Sequence, residues 1–197
     1  MPGSDQTALV LASSSRHRQS LLQRLGVDFT CDSPDIDETA LAGESPAALC
    51  HRLAERKARS VAERYERAVI IGSDQVVDCN GRVFGKPGHH DAAVEQLLQA
   101  SGREVLFLTS VCVLRLADGL CLTETVPSRV LFRELDRDTV SRYLQREQPY
   151  DCAGAFRSEG LGIALLQRID SEDPTALIGL PLIRLCRMLG EAGIRVI

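Results

Sequence analysis

The stretch 68–84 reads AVIIGSDQVVDCNGRVF, and it carries the clearest fold signal in the chain. Its first five residues form an apolar run that is typical of a buried strand. Asn80-Gly81 then predicts a tight hairpin turn, because both residues tolerate the positive φ angles that such turns require. Between these signals we expect Asp74 directly after the buried strand, a common place for a catalytic acid. An ordinary turn aspartate is the competing interpretation.

Helical and strand patterns alternate on both sides of this stretch. We expect strands at 8–12, 27–31, 68–72, 76–84, 104–116, 120–132 and 161–169, and helices at 16–25, 45–65, 91–100, 136–146 and 180–192. Strands that alternate with helices, together with two hairpins, predict an α/β protein with a mixed sheet. Because no repeat, linker or low-complexity tract interrupts the pattern, we expect one domain over residues 1–197.

The bulk composition excludes several classes of protein. A chain of 197 residues with 44% hydrophobic and 25% charged residues is typical of a soluble globular protein. The net charge of -4 argues against a general nucleic-acid binder. No apolar run has the length of a membrane span, and the polar start of the chain does not resemble a signal peptide. We therefore expect a cytoplasmic protein without a nucleic-acid or membrane partner.

The seven cysteines are scattered and never form a C-x-x-C pair. An odd number without metal-ligand spacing argues against a disulfide framework or a zinc site. We expect reduced thiols that are mostly buried.

A cluster of serines and basic residues, SSSRHR, follows the first predicted strand at 13–18. The N-terminus of a helix offers free N–H groups and a positive dipole end, which suit a phosphate. Arg16 and Arg18 add forked donors to such a site. An ordinary serine cap with exposed arginines fits the same pattern equally well.

Two further groups of charged residues could carry chemistry. Carboxylates in the loop after the second strand, among them Glu38, could hold Mg²⁺ or Mn²⁺, although a solvated acidic loop is the simpler interpretation. The chain has only two lysines, Lys57 and Lys86, and Lys86 lies in a G-K-P turn that would hold its backbone. Lysine supplies a compact point charge where arginine is otherwise the default cation, though compositional bias alone could leave two.

Taken in order, several segments resemble the Maf family of nucleotide pyrophosphatases. The matching segments are LASSSRHRQSLL, PDIDET, LAERKA, IIGSDQVV, GKP, CAGAFRSEG and LIGLPL. Each segment is weak alone, whereas the ordered set, spanning about residues 9–188, is highly specific. The resemblance implies a long twisted sheet with flanking helices and a cleft between two lobes, as in the inosine-triphosphate pyrophosphatases. It also implies a nucleotide substrate and a homodimer.

The resemblance further implies roles for individual residues. Asp74 matches the acid that is taken as the general base, and Gln75 and Glu159 match positions linked to base selection. The polar cleft residues that bind phosphates or support the metal are matched by Ser13, Arg18, Glu38, Lys57 and Lys86.

Within the family, S-D-Q and R-S-E-G resemble the branch that hydrolyses 7-methyl-GTP, whereas the dTTP/UTP branch usually has A-D-T and G-I-Q-G. His17 departs from this branch, which often has tryptophan there to stack on the cationic base. The expected reaction is metal-assisted hydrolysis to the monophosphate and pyrophosphate, with Asp74 as the base or as a metal ligand. The alternatives are a pyrophosphatase for dTTP, UTP or another modified nucleotide, and a non-catalytic nucleotide sensor that regulates division.

Overall fold

A computed structural model describes residues 7–65 and 67–197. Within these residues it contains five α-helices around one seven-stranded mixed sheet. The strands are β1 (Leu9–Ala12), β2 (Thr30–Asp32), β3 (Val69–Cys79), β4 (Arg82–Phe84), β5 (Glu104–Arg115), β6 (Leu120–Phe132) and β7 (Leu166–Ser171). The helices are α1 (Arg16–Gln23), α2 (Pro46–Ala62), α3 (His90–Ala100), α4 (Arg137–Glu147) and α5 (Leu182–Glu191). This mixed α/β architecture confirms the predicted fold class.

The sheet runs in the order β2-β1-β3-β5-β6-β7, with β4 paired to β3. β1 pairs in parallel with β2 and β3, while all the other pairs are antiparallel. Short helical or turn segments connect the elements, among them the 3₁₀ turns Ala153–Ala155, Leu161–Leu165 and Ala176–Ile178. The long strands β3, β5 and β6 therefore form the spine of the molecule.

The prediction that a strand ends before Asp74 was wrong. β3 continues through Gly72-Ser73-Asp74-Gln75, whose residues pair with β5, Asp74 opposite Ser110 and Gln75 opposite Thr109. A run of polar residues looks like a strand end in the sequence, but here tertiary partners satisfy the side chains while the ladder continues. Asp74 consequently lies in the middle of an eleven-residue strand.

The predicted strand 161–169 was also only partly correct, because its first half is the 3₁₀ turn Leu161–Leu165. The N–H of Leu161 donates to the Glu147 carboxylate at 2.7 Å, so it is not available to a strand ladder. A Cβ on Gly162 would lie 2.3 Å from the carbonyl oxygen of Arg157, which shows how tightly the chain folds there.

The apolar core is divided into two parts along the long strands. One part packs α3 and α4 against Val77, Phe107 and Phe132. The other packs α1 and α5 against one face of the sheet, with Ile71 and Val113, while α2 covers the opposite face. A long mixed sheet with flanking helices is the architecture that the resemblance implies. The polar residues of β3 lie at the seam between the parts.

Gly72 allows α2 to approach the sheet closely at this seam. A Cβ at Gly72 would lie 2.2 Å from the carbonyl oxygen of Ala54 and 2.9 Å from the Cβ of Ala58, both on α2. No larger residue fits without moving the helix. The same helix carries Lys57, so the small residue is what brings the lysine within reach of the strand.

All seven cysteines are free, as predicted, but most of them are not buried. Cys50, Cys79 and Cys112 are buried, whereas Cys31 and Cys121 are exposed and two others are intermediate. No helix in the described part of the chain has the length and apolarity needed to cross a membrane.

Candidate functional site

Lys57 and Asp74 form a buried ion pair between α2 and β3. The Nζ atom of Lys57 lies 2.6 Å from Oδ1 of Asp74, and each side chain is 8% exposed. Glu38, in the loop after β2, approaches the same ammonium group at 2.8 Å and is 58% exposed. We call Asp74, Lys57 and Glu38 the acid–lysine cluster. Two carboxylates thus share one cation, with Asp74 shielded from water and Glu38 open to it.

Burial raises the pKa of the Asp74 carboxyl group. The charges of Lys57 and Arg18 and the hydrogen bond from Lys57 oppose this rise, while the negative charge of Glu38 reinforces it. A carboxylate with a raised pKa is a better proton acceptor than an ordinary aspartate. The position is therefore suited to general-base chemistry.

Arg18 on α1 extends the positive charge of this region. Burial lowers the pKa of its guanidinium group, and the nearby Asp74 opposes that effect most strongly. Arginine nevertheless stays charged in proteins. The Nε of Arg18 donates to the carbonyl oxygen of Gly179 at 2.9 Å, and the Ser73 hydroxyl donates to the same oxygen at 2.9 Å. Gly179 has a φ of 124°, a conformation that favours glycine.

Ser13 is buried immediately before α1, and its hydroxyl accepts from the N–H of Ser15 at 3.1 Å. Ser15 in turn is the N-cap of α1, with its hydroxyl 3.5 Å from the N–H of Arg18. The serines therefore shape the start of the helix that carries His17 and Arg18. The predicted serine cap is confirmed, although Arg18 is partly buried rather than exposed. Phosphate binding at this turn stays a prediction.

Gln75 lies on the face of β3 opposite to Asp74, because side chains alternate along a strand. Its Nε2 atom lies within 3.1 Å of the Thr109 hydroxyl and of the carbonyl oxygens of Ala176 and Leu177. The Thr109 hydroxyl also donates to Ala176 at 2.8 Å. Gln75 thereby fixes the turn Ala176–Ile178 against the sheet.

His17 on α1 contacts Glu159 directly. The Nδ1 atom of the ring lies 2.7 Å from Oε1 of Glu159, and the two side chains are 32% and 27% exposed. Glu159 borders a cavity of about 300 Å³ beside the turn that Gln75 holds. The other residues that line this cavity are Ser158, Ile169, Ser171, Pro174, Leu177 and Ile178. Of the three residues predicted to recognise the base, only Glu159 lines this mostly apolar cavity. His17 contacts Glu159, and Gln75 contacts the carbonyl oxygen of Leu177.

Lys86 is not brought into these contacts. Its backbone neighbour Gly85 accepts hydrogen bonds from Gln96 and Gly154, which anchors the segment, but the Lys86 side chain is exposed. Within the described ranges it makes neither a hydrogen bond nor an ion pair with the acid–lysine cluster. Its predicted catalytic role stays a prediction.

Hard oxygen donors suit Mg²⁺ or Mn²⁺, and Mg²⁺ commonly uses one or two carboxylates with substrate phosphates. Asp74 and Glu38 meet this description, since both already contact one cation, the Lys57 ammonium group. No group of three or more His, Cys, Asp or Glu residues with metal-binding geometry occurs in the part of the chain that is described. The cluster therefore fits a metal that is completed by other oxygen ligands.

Sequence reasoning missed several partners of these residues. Thr109 and Ser110 interrupt an otherwise apolar strand, VLFLTSVCVL, and that interruption was a usable signal. The carbonyl groups of the 176–179 turn and the ion pairs of Arg157 with Glu147 and Glu159 left no trace in the sequence.

Cys50 is a buried neighbour of the acid–lysine cluster. Its thiol lies 3.1 Å from the carbonyl oxygen of Leu108 and 3.3 Å from that of Asp74, so its single proton can be donated to either. Burial raises the pKa of this thiol to about 11. The thiol is therefore protonated at neutral pH and is a packing and hydrogen-bonding group rather than a nucleophile.

Known proteins resemble this chain over nearly its full length. The family model described as Maf-like protein matches residues 8–192. A protein of Polaromonas sp. named 7-methyl-GTP pyrophosphatase is 54% identical, over 94% of this chain and 85% of its own. Proteins of the same name from Albidiferax ferrireducens and Nitrosococcus oceani are 49% and 50% identical over 98% of this chain and at least 96% of theirs.

Among solved structures, the Ham1 protein of Staphylococcus aureus aligns with a TM-score of 0.48 and 17% identity, over 65% of this chain and 73% of that one. The family match over residues 8–192 and the relatives at about 50% identity carry the assignment. The chain belongs to the Maf family.

Proposed function

We propose that this protein hydrolyses 7-methyl-GTP to 7-methyl-GMP and pyrophosphate. The observation that carries the proposal is the buried Asp74–Lys57 pair at the seam of the two-part core, beside Arg18. The printed names of relatives at about 50% identity supply the reaction and the base. A buried base beside two cations is the arrangement that attack of water on a polyphosphate requires.

The proposed reaction is a displacement at the α-phosphorus. A water molecule attacks this atom while Asp74 accepts one of its protons. The bond between the α-phosphorus and the bridging oxygen breaks, and the pyrophosphate leaves with that oxygen. Lys57 and Arg18 stabilise the charge that builds up on the phosphoryl oxygens. Lys86 is the proposed third cation, at the outer part of the triphosphate.

A divalent metal ion belongs to this proposal. Glu38 and Asp74 would hold it, since their oxygens already share the Lys57 cation and Glu38 is open to solvent. When bound, Mg²⁺ or Mn²⁺ would neutralise triphosphate charge and fix its geometry. The competing assignment of Asp74 as a metal ligand only, with no role in proton transfer, is tested by the pH profile discussed below.

Base recognition falls to the cavity beside Glu159. A carboxylate there can accept the N1–H and the exocyclic amine of guanine, and the walls of Leu177 and Ile178 suit a planar base. Positive charge on a methylated base would add an electrostatic attraction. Thymine and uracil would leave the carboxylate without these donors.

The experiment is a side-by-side substrate panel in which pyrophosphate release is measured from 7-methyl-GTP, GTP, dTTP and UTP with Mg²⁺ or Mn²⁺. We expect 7-methyl-GTP to give the highest kcat/KM and chelation by EDTA to stop turnover. A higher kcat/KM for dTTP or UTP would contradict the base assignment and leave the pyrophosphatase assignment in place. Tight nucleotide binding without any pyrophosphate release would favour a sensor instead.

The remaining features of the proposal concern the setting of the protein. We propose one domain, in accord with a family match that spans residues 8–192. A cytoplasmic location and the lack of a nucleic-acid or membrane partner follow from composition and charge, and a homodimer follows from the resemblance alone. Light scattering during size-exclusion chromatography would measure the oligomeric state.

A further inference from the structure

The contact between His17 and Glu159 places a ring of the protein where the proposed function places the base. His17 belongs to α1 and Glu159 to the segment between two 3₁₀ turns, so the contact joins distant parts of the chain. Glu159 also borders the cavity proposed for the base. A ligand that binds this carboxylate must therefore displace His17 from it.

The chemistry of this contact shows how the His17 ring resembles the base of the substrate. A carboxylate only accepts hydrogen bonds, so Nδ1 of His17 carries a proton at a separation of 2.7 Å. When the second ring nitrogen is also protonated, the ring becomes a flat aromatic cation. The five-membered ring of 7-methylguanine is likewise an imidazolium-type cation. The side chain and the substrate thus offer Glu159 the same kind of partner.

We propose that His17 competes with the base for Glu159. In the free protein the ring of His17 binds the Glu159 carboxylate, and the nucleobase must displace the ring. The inference rests on the proposed function, because it assumes that Glu159 recognises the base. It deepens that function by making base affinity depend on the protonation of His17. A charged ring binds a carboxylate more strongly than a neutral ring, so competition should strengthen as pH falls.

The competition also depends on the charged groups that surround the contact between His17 and Glu159. Arg157 lies 3.4 Å from Glu159 through its Nε atom and is itself engaged by Glu147 at 3.2 Å. The titratable or charged groups around the contact are Arg16 and Arg18 on the helix of His17, Arg157 beside Glu159, Glu147 on α4, and the protonated thiol of Cys152. Arg157 places a permanent positive charge beside Glu159.

The test compares the wild type with His17→Gln, which keeps a neutral N–H donor but cannot become charged. KM for 7-methyl-GTP is measured from about pH 6 to pH 8. Because 7-methylguanine itself loses a proton near neutral pH, the readout is the ratio of the wild-type KM to the variant KM at each pH, in which the titration of the substrate cancels. We expect a ratio near one at the alkaline end and a rise to about twofold to fivefold at the acidic end, the range of a partly exposed ion pair.

A double-mutant cycle sharpens the result. In a Glu159→Gln background, His17→Gln should no longer change the pH dependence, because the contact is already lost. A ratio that stays flat with pH would overturn the proposal. So would a His17→Gln variant with a raised KM at every pH, since that would show His17 helping the base to bind.

Failure of the proposed function is distinguishable from failure of this inference. If 7-methyl-GTP is not hydrolysed at any pH, the function falls, and calorimetry with 7-methylguanosine, which has no phosphate, replaces the kinetic readout. The same pH-dependent ratio in Kd would support competition by His17. No binding of the nucleoside to any variant would overturn it.

Discussion

Asp74 and Glu159 are two carboxylates in one proposed site, and their surroundings differ sharply. Asp74 is 8% exposed and meets a buried lysine, whereas Glu159 is 27% exposed and meets a histidine. Burial raises the pKa of Asp74. A buried carboxylate paired with a lysine suits proton transfer, and a partly exposed carboxylate with a displaceable partner suits recognition.

The two regions also differ in what holds them in place. The acid–lysine cluster depends on the close approach of α2 over Gly72 and on strand pairing at the centre of the sheet. The recognition region depends on Gln75 and on the carbonyl groups of the 176–179 turn. Rigid elements therefore hold the residues of the proposed chemistry, while a turn and two side chains hold the proposed recognition site.

The largest expected effect belongs to Asp74→Asn, which keeps the shape of the side chain but removes its basicity. We expect kcat to fall by about 10²–10⁴-fold while nucleotide binding is largely retained. Single-turnover kinetics and calorimetry with 7-methyl-GTP would measure both quantities, with Glu159→Gln as the matched carboxylate control. A kcat within a few-fold of the wild type would remove Asp74 from the chemical step.

Lys57→Met should lower kcat/KM by about a hundredfold, because it removes a cation from the developing charge. Without Lys57, which lowers the pKa of Asp74, that pKa should rise further, so the acidic limb of the pH profile should move to higher pH. A pH–rate profile of kcat/KM, compared with that of Arg142→Met on the exposed face of α4, would measure the shift. An unmoved limb would mean that Asp74 is not the titrating base.

Lys57→Met should also change how the stability of the fold depends on pH. A carboxyl group with a raised pKa stabilises the fold only while it is protonated, and this contribution is lost as pH rises through its folded pKa. Lys57→Met should therefore be more destabilised at pH 8 than at pH 5 relative to the wild type. Urea denaturation at both pH values would detect the difference, and equal losses would contradict the role of the lysine as the counter-charge.

Glu159→Gln should change selectivity more than rate. We expect the ratio of kcat/KM for 7-methyl-GTP to that for GTP to fall by about tenfold, since the charge that attracts the methylated base is lost. Asp74→Asn should leave this ratio unchanged in any residual activity. An equal loss for both substrates would place Glu159 outside base recognition.

The smallest expected effect is that of Lys86→Ala. Because the side chain is exposed and forms no contact with the cluster in the described structure, we expect KM to rise by about threefold to fivefold with little change in kcat. Steady-state kinetics at low and high salt would test this, as an exposed charge is screened by salt. A loss as large as that of Lys57→Met would show that Lys86 joins the cluster when the triphosphate binds.

Sequence alone was sufficient for the elements with strong local signals. Ser45-Pro46 begins α2, Asp136 caps α4, and the hairpin 104–132 has the predicted strands. Caps and turns are governed by residues a few positions apart, so they are readable without the fold. The ordered motifs also indicate the family without any knowledge of geometry.

Only the tertiary structure decided how these residues meet. The sequence around Asp74 looks like a strand end, and only pairing with β5 shows an uninterrupted strand with Asp74 at its centre. The separation of Lys57, Lys86 and Glu159 along the chain gives no hint that Lys57 contacts Asp74, that Lys86 does not, or that Glu159 contacts His17. Contacts between distant residues depend on the packing of whole helices against the sheet. For Lys57 and Asp74, Gly72 sets the distance between α2 and β3.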